Sequence, residues 1–148
     1  MSETKATLGT KEWYELVSLG ADALLTVRPS GTSMLPLIRG GKDTVLVAPL
    51  RRAPKKGDIL LFHRHDGKDI LHRVRRFSGD SIIMLGDGSI GEDGPIKRED
   101  ILGIAVILIR DGKSIPLDTR FCRFRGRVHQ LFLRPRNFLK RVKRKLTS

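Results

Sequence analysis

Apolar positions near the start of the chain recur at helical steps. Trp13, Leu16 and Val17 fall at i, i+3 and i+4 among charged neighbours, which predicts a short helix over residues 10–19, capped by Thr10 and stopped at Gly20. The period then changes. Residues 23–29 read as a strand running into the turn-rich stretch 30–33. Beyond Pro36, short β segments are expected over 44–48, 59–63, 69–75, 81–85 and 101–109, separated by Gly, Asp, Lys and Pro. Asp66-Gly67 lies between the second and third of these, a hairpin signal that pairs 59–63 with 69–75. The segment 101–109 is apolar on both faces and should run through the core. Short strands at this spacing predict a mainly β fold, a sandwich or a barrel, with a short N-terminal helix.

Charge divides the chain in a way that hydropathy does not. Residues 120–148 hold eleven Lys and Arg and no acid, whereas residues 1–119 hold eighteen basic and sixteen acidic side chains. The net charge of +13 is therefore mostly a tail property, and the expected division is a domain over 1–119 followed by a basic tail over 120–148. In the tail, Val128, Leu131, Phe132, Phe138, Leu139, Val142 and Leu146 recur at three- and four-residue steps, with Pro135 dividing two short helices. Such a tail suits an anionic membrane surface, and equally a helix docked on its own domain. Nucleic acid is not the expected partner, because no base-reading motif is present. No apolar run reaches the roughly 18–20 residues that cross a bilayer. The first twenty residues lack a secretory apolar region. A cytoplasmic protein is expected, with any membrane contact peripheral.

The single cysteine, Cys122, excludes an internal disulfide and a Cys-rich metal site. His63 and His65 form a His-x-His pair at a hairpin turn with no third ligand nearby, and His129 lies in the basic tail, so neither a metal nor a cofactor is expected. The densest chemical signal is Pro29-Ser30-Gly31-Thr32-Ser33-Met34-Leu35-Pro36. Glycine two residues before Ser33 and proline three after it would hold the hydroxyl on a tight turn at a strand end. A nucleophile needs that exposure, with backbone N–H groups close by to receive an oxyanion.

Further motifs follow in order: Gly57-Asp58-Ile59, then His72-Arg73-Val74, then Gly86-Asp87-Gly88. Over residues 25–105 the chain resembles the signal peptidase and LexA-type serine peptidase superfamily, which shows a Ser-Met nucleophile box, a Gly-Asp-Ile strand start, a general base followed by Arg-Val, and a Gly-Asp box. The resemblance implies Ser33 as nucleophile and His72 as general base, matching the branch that carries His where classical members carry Lys. It implies Asp87 as the carboxylate that orients the imidazole, with Asp93 a possible second support or a loop residue. Gly31 stands where signal peptidases commonly place a serine, so the oxyanion hole should rest on the backbone N–H groups of Thr32 and Ser33. The implied activity is endoproteolysis of an extended leader or exported peptide by a compact form without the usual membrane anchor. Two alternatives carry the same fold: a catalytically inactive peptide-binding module, and a nucleic-acid-associated regulator of the LexA type.

Overall fold

A computed structural model describes residues 9–89, 91–126 and 128. The chain opens with helix α1 (Thr10–Ser18), followed by β1 (Leu25–Val27), β2 (Thr44–Ala48), β3 (Ile59–His63), β4 (Asp69–Ser78), β5 (Ser81–Leu85), β6 (Asp93–Ile96), β7 (Ile101–Arg110) and β8 (Lys113–Pro116). A single 3-10 turn, Arg98–Asp100, precedes β7, and residues 120–126 are helical. All strand pairs are antiparallel, in the order β1-β2-β7-β3-β4-β5-β6, with β8 on β7. The mainly β fold with short flanking helices matches the sequence expectation. Strands β6 and β8 were not expected. Asp93-Gly94-Pro95-Ile96 contains two residues that argue against a strand, and Lys113–Pro116 is exposed throughout.

Alternation along β3 explains how one sheet encloses two apolar clusters. Ile59 and Leu61 enter a cluster with Trp13, Val45, Val47, Leu108, Leu117 and Cys122. Leu60 and Phe62, which point the other way, enter a second cluster with Val74, Ile82, Met84 and Ile104. The central strands β3 and β7 are thus covered on both faces, as the continuous apolar run of β7 requires.

Helix α1 seals the first cluster through Trp13 and Val17, while Leu16 remains outside. Trp13 donates its indole N–H to the Ala23 carbonyl at 2.8 Å. Gly9, not Thr10, occupies the N-cap, and no side chain caps the helix. Gly103 is needed beneath the indole: a Cβ there would lie 2.8 Å from the Trp13 ring and 2.6 Å from the Ala48 carbonyl. The helix expected over 126–146 and its break at Pro135 lie outside the described residues, apart from Gly126 and Val128.

Candidate functional site

Strand β1 is three residues long because Pro29 and Gly31 follow it, and the chain then turns through Ser33. Gly31 has φ +78, a conformation that costs a residue with a Cβ, and it lies against Gly40, where an added Cβ would fall 2.0 Å from the Gly31 carbonyl. Met34 and Ile38 bury their side chains in the first cluster, so Ser33 is left half-buried at the surface of the turn. The far end of this turn is held by Asp43. Its fully buried carboxylate binds Arg39 and Arg110, and Arg110 also donates to the Leu37 carbonyl at 2.7 Å. Arg110 first, and Arg39 after it, hold the Asp43 carboxyl well below the usual carboxylate range against the opposing pull of burial.

His72 sits in the middle of β4, opposite Leu60 of β3, with its ring tilted against Phe62 at a centroid distance of 6.1 Å. Its imidazole is buried. The Gly86-Asp87-Gly88 loop joins it to the serine turn. The Gly88 N–H donates to the Ser33 carbonyl at 2.8 Å. A Cβ on Gly86 would stand 2.3 Å from that same carbonyl oxygen and 2.9 Å from His72 Nε2. Gly86 thus packs at once against the Ser33 carbonyl, the Ser89 hydroxyl (2.4 Å from such a Cβ) and the imidazole nitrogen, so the backbone of the serine turn and the ring lie close together with no room for a side chain between them. Among the described residues, the N–H groups of Thr32 and Ser33 donate to no backbone or side-chain acceptor.

The two carboxylates meet different partners. Asp93 is not in a loop but opens β6, and its Oδ2 lies 2.6 Å from His72 Nδ1. The ring N–H is not aimed along this contact, so Nδ1 has no aligned acceptor and Asp93 acts on the imidazole mainly through its charge. Asp87, expected to orient the base, is instead gripped by Arg73, whose Nε and Nη2 donate to its two oxygens at 2.8 and 2.9 Å. Arg73 Nη1 donates further to the carbonyls of Gly57 and Cys122. The pair is buried on the face of β4 opposite His72. Sequence reasoning placed Arg73 beside the base but gave it no role. The available signal was a guanidinium alternating into an apolar strand, which requires a partner.

Burial is the main influence on the imidazole and lowers its pKa below the ordinary 6.5; Asp93 opposes this, and Arg64 adds to the lowering. His72 is accordingly neutral and able to accept a proton at neutral pH. Any activity that uses it as a base should fall on acidification with a midpoint below 6.5, and the midpoint should move lower still in Asp93→Asn. Rate measurements across pH 5 to 8 on both proteins check this; an upward move of the midpoint in the variant would contradict it. Folding stability follows the same sign. The contribution of His72 is intact above pH 6.5 and is lost as pH falls through the folded-state value, because the unfolded chain takes up the proton first.

A cleft of about 200 Å³ lies beside Ser33, walled by Val27, Pro29 and Ser30 on one side and by Leu61, Ile70 and Leu71 on the other. Strand β4 outruns β5 here. Its pairing with β5 begins at Arg73, so residues 69–72 pair only with β3. Strand β1 pairs only with β2. Two strand segments with open edges thus flank the cleft. His63 pairs with Asp69 across the hairpin at 2.9 Å. Comparison with known proteins returned no matching family model, no curated relative and no solved structure.

Proposed function

We propose that the chain is a serine endopeptidase of the signal peptidase type that cuts an extended leader or exported peptide. The observation that carries this reading is the packing around Gly86, where the backbone of the Ser33 turn and His72 Nε2 meet the same point, with Asp93 against the second ring nitrogen. In the proposed reaction Ser33 Oγ attacks the scissile carbonyl carbon while His72 Nε2 takes the hydroxyl proton. The N–H groups of Thr32 and Ser33 receive the oxyanion. Collapse passes the proton from His72 to the leaving amine and leaves an acyl group on Ser33. Water then gives a proton to His72 and attacks the ester, and Ser33 recovers its proton as the acid departs. The peptide would lie extended in the cleft, using the open edges of β1 and of residues 69–72 as a strand would. The basic segment 120–148 would keep the enzyme peripheral, at the inner membrane surface where such a peptide emerges.

The same open edges favour a second reading, a module that grips an extended peptide without cutting it. One experiment separates the two. A diverse peptide mixture is incubated with the protein and with Ser33→Ala, and new termini are read by mass spectrometry. Cuts that disappear in the variant support the peptidase. Cuts that persist in Ser33→Ala would overturn it, and peptide retention without any cutting would support the binding module.

A further inference from the structure

Residues 120–126 form a helical segment that carries large apolar side chains on its outer face. Its inward positions are Cys122 and Gly126. Cys122 belongs to the first apolar cluster, and Gly126 presses so closely on Arg73 that a Cβ would fall 2.0 Å from the guanidinium carbon. At about 3.6 residues per turn, Phe121, Phe124 and Val128 share the opposite face. Phe121 is 71% exposed, Phe124 65% and Val128 36%. Exposed Arg120 and Arg125 flank this stripe on either side. Arg123 is committed inward, donating to Asp118 at 2.9 Å and lying 3.6 Å from Asp58. Isolated exposed hydrophobics are ordinary, but two adjacent phenyl rings on the outer face of a helix are not.

We infer that this face is a membrane-docking surface, with Phe121 and Phe124 entering the interface of an anionic bilayer and Arg120 and Arg125 pairing with its headgroups. Charge complementarity selects the occupant. Residues 120–148 hold eleven Lys and Arg and no acid, so the rings belong to the most basic stretch of the sequence. Phenyl rings flanked by guanidinium groups fit the boundary between acyl chains and anionic headgroups. A groove of about 430 Å³ runs from the helix towards the serine turn, lined by Phe121, Ile115, Pro116, Leu37 and Pro36. Docking through the two rings would therefore set the face next to Ser33 towards the membrane. This inference deepens the peripheral-membrane reading given above and does not depend on peptidase activity.

The test is flotation of the full chain with phosphatidylcholine vesicles, with and without phosphatidylglycerol, for the wild type and for Phe121→Ser/Phe124→Ser. The expected result is binding only to the anionic vesicles, weakened by roughly tenfold to a hundredfold when both rings are removed. The double variant should melt at the wild-type temperature and, if the peptidase reading holds, cut soluble peptides at the wild-type rate. Equal binding by wild type and variant would overturn the proposal and assign attraction to tail charge alone. A fall in melting temperature of roughly 5 °C or more would overturn it too, since the rings would then pack on the chain itself. Displacement from vesicles by a short DNA duplex, bound with the same affinity by the double variant, would favour a nucleic-acid partner instead. Because flotation requires no turnover, loss of the peptidase reading would leave this result interpretable.

Discussion

Asp93→Asn is expected to lower turnover about 10³–10⁴-fold while leaving the chain folded. The carboxylate faces His72 Nδ1 at 2.6 Å and favours the charged form of the ring. In the proposed reaction His72 would become an imidazolium in a buried setting during attack by Ser33. Without Asp93 that charge has no adjacent counter-ion on the Nδ1 side, and an amide there can also accept from or donate to the ring and so admit the wrong tautomer. Asp93 is partly solvated and its backbone pairs with Met84, so strand β6 should persist in the variant. Steady-state kinetics and a melting curve on the same preparation check both halves. Turnover within tenfold of wild type would remove Asp93 from the site, and a large fall in melting temperature would make its role structural.

The largest stability effect is expected at the other carboxylate. Asp87→Ala should cost about 3–5 kcal/mol, because it strands a guanidinium that is buried on every side. For a chain of this size the melting temperature should fall by roughly 10 °C or more. Replacing both partners, as in Arg73→Met/Asp87→Leu, should recover part of the loss, since an apolar pair carries no stranded charge. Recovery should be incomplete, because the carbonyls of Gly57 and Cys122 lose the donor that Arg73 supplies. Chemical denaturation of the wild type, Arg73→Met, Asp87→Leu and their double variant forms a double-mutant cycle. Additive losses would mean that the pair is not the unit described.

These two carboxylates mark where sequence reading succeeded and where it stopped. Motif order located Ser33, His72, Asp87 and Asp93, and alternation located the central strands. Choosing between the carboxylates required knowing which face of β4 each one meets. His72 and Arg73 are neighbours in sequence but project to opposite faces of the strand, so the Asp87 carboxylate can pair with Arg73 while Asp93, at the start of β6, meets His72. Local composition also concealed β6: Gly94 and Pro95 read as a turn, yet Asp93 and Ile96 pair with Met84 and Ile82. At α1 the helical period was legible, but of its three apolar positions only Trp13 and Val17 are buried and Leu16 lies outside. The network around Asp43 was invisible for a different reason: Arg110 lies 67 residues away from it along the chain.

The reach of Arg73 bears on how such a protein can be divided and rejoined. A sequence boundary drawn by charge falls at residue 120, where the run of basic side chains begins. The guanidinium that grips the Gly-Asp loop also holds the Cys122 carbonyl and lies against Gly126. The first turns of the basic segment are therefore part of the scaffold under the Gly-Asp loop. Any exchange of the basic segment, by evolution or by engineering, has to keep Cys122 and Gly126 in place.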